Sequence, residues 1–136
     1  MIDFKLYIAG PMSAFKDTDF NYGEFERAAQ RLRRTGFTVI SPHEVDTEPP
    51  GSRHYTWYIR NTLAQLLRCD AVAVLNGIHW STGALHECTT ARLLKMHIET
   101  VREWENIGYK IQTGALPANY LTGFRQKVWA IEVDDG

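Results

Sequence analysis

The sequence predicts an α/β fold, with helices wound onto both faces of a parallel sheet to make three layers. Three observations predict it. Strand and helix signals alternate through the first hundred residues, the pattern of successive βαβ units. The first two strand candidates are short apolar runs stopped by Gly10-Pro11 and Ser41-Pro42. A chain of 136 residues, 44% of them hydrophobic, is enough for one buried core.

Phe4 to Ala9 reads as the first strand. Asn21 with Glu24 three residues on forms a capping box, and Phe20 can staple onto Phe25. Phe25, Ala28, Ala29 and Leu32 fall at helical spacing until Gly36 ends that helix. Phe37 to Ile40 is the second strand. Residues 43–54 carry two prolines, a glycine and three acids and read as an exposed loop. Ile59, Leu63, Leu66 and Leu67 form one stripe of a second helix, and Ala71 to Leu75 is a buried third strand. A third helix is expected from about Thr82 to Met96, with a fourth strand from Ile98 to Val101. Residues 103–136 form a C-terminal extension without an assigned structure, except that Lys127 to Val133 alternates as an added edge strand would. The expectation is a single domain over 1–136 with four or five strands.

The bulk properties remove several function classes. A net charge of −1 leaves no basic surplus for a phosphate backbone, so duplex nucleic acid is not the main partner. No apolar run approaches the roughly 20 residues that span a bilayer, and the N-terminus lacks the layout of a signal peptide. Cys69 and Cys88, the only cysteines, sit in apolar segments and read as reduced core thiols. A cytoplasmic protein without a membrane partner is the expectation. The five histidines show no metal-ligand spacing, and no phosphate-binding glycine loop or nucleophile elbow is present.

In a doubly wound sheet the strand ends at Gly10, Pro42 and Asn76 share the carboxyl edge, where ligands bind at the switch in strand order. Loops 10–19 and 76–83 are therefore the ones to read. The third helix carries the sharpest feature. Its apolar stripe is Ala84, Cys88, Ala91, Leu94 and Ile98, and at about 100° per residue Glu87 falls inside it. An unpaired buried carboxylate is costly, so the position demands a reason. Gly83 lies one turn earlier on the same face, and a long helical side chain points back toward the N-terminus. Glu87 thus reaches over Gly83 to the carboxyl edge. The plain alternative is a glutamate in an early helical turn, favoured by the macrodipole and reaching solvent. His86 and Cys88 flank Glu87 but point about 100° to either side, so the three do not converge.

Tyr7, three residues before Gly10, is placed to hydrogen-bond a carboxylate across such a site; its alternative is a packed core tyrosine. Ser81, Thr82 and Gly83 open the third helix, where free amides and small hydroxyls favour an anion, although the same residues describe an ordinary N-cap. Ser13 is a similar candidate in the first loop. Asp70, before the third strand, is either a site residue or a turn residue at a helix end.

The run Leu6-Tyr7-Ile8-Ala9-Gly10-Pro11-Met12, with Cys69-Asp70-Ala71-Val72 and Ser81-Thr82-Gly83-Ala84-Leu85-His86-Glu87, resembles the nucleoside 2-deoxyribosyltransferase superfamily, in its small "YIAGPM" branch. It is also similar to 2'-deoxynucleoside 5'-phosphate N-hydrolases. The resemblance covers residues 4 to 100 or so. It implies a Rossmann-like fold, no cofactor or metal, a nucleoside or nucleotide substrate, and a homodimer or larger assembly. It makes Glu87 the nucleophile on the sugar C1' and Tyr7 the residue that positions it, both catalytic. Gly10, Pro11, Ser13, Asn61, Asp70, Trp80, Ser81, Thr82 and Gly83 are the candidate substrate-binding residues beside them. The residue six before the glutamate is typically Asp in the transferases and Ser in the nucleotide hydrolases; Ser81 here points toward a 5'-phosphate and hydrolysis. The chain departs from the pattern twice. Tyr55 to Arg68 holds no acid where relatives carry one, leaving Asn61 or Thr62 to stand in, and the first loop has Ser13 and Lys16 but no arginine. Trp80, Trp57 or Phe15 can stack on a base.

Three functions compete on these residues. An N-glycosidase or deoxyribosyltransferase uses Tyr7 and Glu87. A non-catalytic nucleotide-binding module on the same fold fits the missing helix acid. A plain interaction domain leaves Glu87 in its apolar stripe without a cause. Fold alone does not choose among them.

Overall fold

The computed structural model describes residues 2–10, 22–45, 55–75 and 82–124, with the side chains at 22, 43, 45, 55, 56, 58, 59 and 82–86 outside that description. The elements in order are β1 (Lys5–Ala9), α1 (Tyr22–Arg34), β2 (Thr38–Ile40), α2 (Pro42–Val45), α3 (Tyr55–Leu66), β3 (Ala71–Val74), α4 (Thr82–Leu93), β4 (His97–Thr100) and α5 (Val101–Gln112). The described strands form one parallel sheet in the order β2-β1-β3-β4. Alternation along β1 divides the core in two. Phe4, Leu6 and Ile8 pack with Ala71, Ala73 and the apolar faces of α1 and α5. Tyr7, Ala9 and Val72 turn the other way, onto Leu66 of α3 and Cys88 and Ala91 of α4. The result is the expected three-layer, doubly wound, Rossmann-like α/β fold, with the switch in strand order between β1 and β3.

Gly36 ends α1 as its position predicts. It sits at φ 104°, and the amides of Gly36 and Phe37 return to the carbonyls of Arg33 (2.9 Å) and Leu32 (3.3 Å). The other helix ends hold corrections. Helix α4 stops at Leu93 rather than Met96, and Ile98 belongs to β4. The same Schellman closure is made without glycine: Lys95 adopts φ 60°, its amide reaches Arg92 O (3.0 Å), and the Met96 amide reaches Ala91 O (2.9 Å). Leu94 therefore leaves the core and is 40% exposed, as Leu67 is at 60% after the end of α3. Part of the expected 43–54 loop is the short helix α2, because Pro42 suits a first helical position as well as it stops a strand. The Asn21 capping box, the Phe20 staple and the expected 127–133 edge strand lie outside the described residues.

Helix α5 occupies the stretch that reads as unassigned from 103 onward. Its start is a reciprocal capping box, with Glu103 N donating to Thr100 Oγ1 (3.1 Å) and Thr100 N to Glu103 Oε1 (3.0 Å). Trp104 anchors it: fully buried against the sheet, its Nε1 donates to Val72 O (2.8 Å). Arg31 of α1 grips Glu105 through both carboxylate oxygens (2.7 and 3.3 Å).

Gly108 lets α5 approach α1. A Cβ there would lie 2.5 Å from Thr35 Oγ1, 2.7 Å from Thr35 Cβ and 3.0 Å from the Phe37 ring. Gly108→Ala gains up to about 1 kcal/mol of helix propensity. Overpacking against buried Thr35 costs about 1–3 kcal/mol and outweighs that gain. The variant is expected to unfold at lower denaturant than wild type with an unchanged slope; equal midpoints would show that the two helices are not held this closely.

Candidate active site

The parallel sheet fixes where the chemistry can sit. Helix α4 follows β3 and runs back across the sheet, so its first turns begin at the carboxyl edge. Glu87 is the sixth residue of α4 and is 4% exposed. Tyr7 is the middle residue of β1, paired with Ile40 of β2 and Val72 of β3 beside the switch in strand order. Its side chain faces α3 and α4 and is fully buried. The Tyr7 hydroxyl donates a hydrogen bond to Glu87 Oε2. The carboxylate in the apolar stripe and the strand tyrosine thus meet, although 80 positions separate them in the chain.

A third group joins them. Thr62, on α3, acts on both, since its side chain favours the charged forms of Glu87 and Tyr7. Asn61 and Thr62, the two residues that stand where an acid is absent, are both half-buried on α3.

Burial sets the protonation of this trio. It pushes the Glu87 carboxyl up to about 7, while the hydrogen bonds from Tyr7 and Thr62 pull the other way. Burial, then the Glu87 charge and hydrogen bond, raises Tyr7 well above the usual phenol range, so Tyr7 is a neutral donor at neutral pH. The neighbouring thiols are no rivals as nucleophiles. Burial pushes Cys88 up to about 11 and Cys69 to about 12, so both stay protonated. The arrangement offers one carboxylate that ionises near neutrality, oriented by the Tyr7 hydroxyl, as a nucleophile or a general base needs.

The other expected site residues scatter. Gly10 is buried at the end of β1, where a Cβ would lie 2.5 Å from Leu75 Cδ1. Thr82 and Gly83 form the first turn of α4. Asp70 does not belong to this edge. Its Oδ2 accepts from Lys5 N (2.8 Å) and its amide donates to Lys5 O (2.8 Å), which ties the amino ends of β1 and β3. The helix-end alternative therefore holds for Asp70. Pro11, Ser13, Trp80 and Ser81 lie outside the described residues. Among the described residues, no three His, Cys, Asp or Glu side chains group as a metal site, and no helix is long and apolar enough to cross a membrane.

A family model described as a domain of unknown function, DUF4406, matches residues 4–100. The chain belongs to the DUF4406 family. The match runs from the start of β1 through β4, so it takes in Tyr7, Thr62 and Glu87 and leaves α5 beyond it. No curated protein matches this DUF4406 chain. A solved structure of the 2-deoxyribosyltransferase of the psychrotolerant bacterium Bacillus psychrosaccharolyticus is similar over 69% of each chain, at 23% identity and a TM-score of 0.54. That enzyme is described as a biocatalyst for the synthesis of nucleosides. At this identity the likeness establishes a shared fold for the DUF4406 domain.

Proposed function

We propose that this protein cleaves or transfers the N-glycosidic bond of a nucleoside or 2'-deoxynucleoside, or of its 5'-monophosphate, with hydrolysis slightly favoured over transfer. The observation that carries the reading is the buried Glu87 carboxylate held by the Tyr7 hydroxyl at the switch between β1 and β3. The fold shared with a 2-deoxyribosyltransferase supports it. In the proposed reaction Glu87 attacks C1' and forms a glycosyl ester, and the base leaves with the bonding electron pair and takes a proton. Water then attacks C1', releasing the sugar and returning the carboxylate, with a proton passed to solvent; in a transferase a second base takes the place of water. The transition state resembles an oxocarbenium ion, which the carboxylate stabilises. A homodimer or larger assembly in the cytoplasm belongs to the same reading.

The test is to incubate the protein with a panel of nucleosides and 5'-monophosphates and to separate free base by chromatography. Release of base supports the reading, and exchange of one base for another would make the enzyme a transferase. Tight binding without release would instead favour a nucleotide-binding module, the reading that the acid-free α3 supports.

A 5'-monophosphate is expected to be the better substrate. The amides opening α4, with Ser81 and Thr82, suit an anion, and an aspartate at position 81 would repel it. Ser81→Asp should therefore lower kcat/KM for the monophosphate far more than for the nucleoside. Equal kcat/KM for a deoxynucleoside and its 5'-phosphate in the wild type would overturn this preference and favour transfer.

A further inference from the structure

Helices α3 and α4 end in an apolar surface that the core does not use. Leu93 is 77% exposed, and Leu67 and Leu94 are exposed with it. The sheet register places them together. Ala71 of β3 pairs with His97 of β4, and Leu67 and Leu93 each stand four residues before one member of that pair. Beneath them Leu66 and Met96 pack into one cluster. The three leucines therefore share one patch at the amino edge of the sheet, away from the first turns of α4.

Exposed cations accompany the patch: Arg68, Arg92 and Lys95. From Tyr55 to Met96 the chain holds two acids, Asp70 and Glu87. Glu87 is buried, and Asp70 Oδ2 accepts from Lys5 N. The surface is thus apolar and basic, on a chain whose net charge is −1. A second copy of the same face would set cations against cations, so the fitting occupant brings apolar side chains and acids together. This chain carries such a segment. Residues 128–135 hold Val128, Trp129, Ile131 and Val133 with Glu132, Asp134 and Asp135, and no cation.

The place where the described chain ends favours the same occupant. The Phe124 ring stacks on His97, with centroids 4.4 Å apart. Leu94 is three residues from His97, at most about 11 Å along the chain, while the five residues from Phe124 to Trp129 reach up to about 17 Å. Phe124 packs with the α5 layer, and β4 is the end strand of the described sheet, so the route to the α4 layer leads round that edge. We infer that residues 128–135 dock on this patch, with their apolar side chains on Leu67, Leu93 and Leu94 and their acids among Arg68, Arg92 and Lys95. The inference goes beyond the proposed function and stands whether or not the protein releases base.

Two measurements on the intact chain test it. A carbodiimide joins an amine directly to a carboxylate in contact with it, and mass spectrometry of the digest locates the link. Lys95 is expected to link to Glu132, Asp134 or Asp135, and Lys95→Arg, which keeps the charge but removes the amine, should lose the link. An equal mixture of unlabelled and nitrogen-15 protein tells one chain from two. Links within single chains support the inference; mixed-isotope links would overturn it and give the patch to the segment of a second copy. The second measurement is the rate at which trypsin cuts after Arg125 and Lys127. Leu93→Glu changes an exposed side chain, so the fold should hold. It should speed those cuts about tenfold, the effect of losing one well-buried apolar contact to the segment. High salt should also speed them, by screening the charge pairs. Tyr109→Glu alters an exposed ring on α5 instead and should leave the rate unchanged. Absence of the Lys95 link, a wild-type cutting rate in Leu93→Glu, or an equal acceleration in Tyr109→Glu would each overturn the inference.

Discussion

Glu87→Gln is expected to abolish base release while yielding a protein more stable than wild type at pH 8. Loss of a covalent nucleophile costs about four powers of ten or more in kcat. The same carboxylate is a burden on the fold. Its folded-state value of about 7 lies above the ordinary value of 4.5. Between those two values the folded protein binds a proton that the unfolded chain has released. Stability therefore falls as pH rises from about 4.5 to about 7 and stays low above it, by on the order of 3 kcal/mol for this group. Glutamine keeps the shape and an acceptor for Tyr7 but never ionises, so the variant escapes that loss. Its midpoint advantage over wild type should be small at pH 5 and reach about 1–3 kcal/mol at pH 8. Denaturant titrations at both values check the stability half, and chromatography of free base checks the activity half. A folded Glu87→Gln that released base at the wild-type rate would remove Glu87 from the mechanism. A variant less stable than wild type at pH 8 would show that the carboxylate is better solvated than its burial implies.

That conflict between burial and charge is also what makes Glu87 legible in the sequence. A carboxylate in an apolar stripe violates the local rule for a helix, and such violations gather at functional sites. The order of seven elements is legible for the opposite reason, since apolar spacing, glycine and proline all agree from β1 to β4. Where a single residue type sends two messages, sequence and structure part. Pro42 ends a strand and opens α2. Lys95 closes α4 in a left-handed conformation that glycine usually marks. In α5 the capping box Thr100-x-x-Glu103 and the spacing of Val101, Trp104, Ile107 and Ile111 signal a helix, but Gly108 interrupts them with a signal for a break. Its cause is tertiary, the close approach of Thr35. Thr62 shows the deeper limit. A threonine on a helix carries no local anomaly, and only the packing of α3 against α4 brings it near Glu87.

Tyr7→Phe is expected to slow base release by roughly ten- to a hundredfold without abolishing it, the effect of losing one hydrogen bond to a charged group. The ring stays and its apolar contacts with Ala9, Val72 and Leu66 are kept, so the fold should hold. What changes is the solvation of Glu87. The Tyr7 hydroxyl stabilises the ionised carboxylate, so removing it lets burial push the Glu87 pKa above its value of about 7. If the reaction needs the carboxylate as nucleophile, wild-type kcat/KM should fall as pH drops below about 7, and the acid limb of Tyr7→Phe should lie at higher pH. The deficit of the variant should then be largest near pH 6 and narrow toward pH 9, roughly where Glu87 is ionised in both proteins. The residual gap at high pH measures orientation alone, and the shift of the limb measures charge stabilisation. A deficit equal at every pH would mean that Tyr7 only orients Glu87. A variant with wild-type rates throughout would mean that the hydrogen bond between them has no part in the reaction.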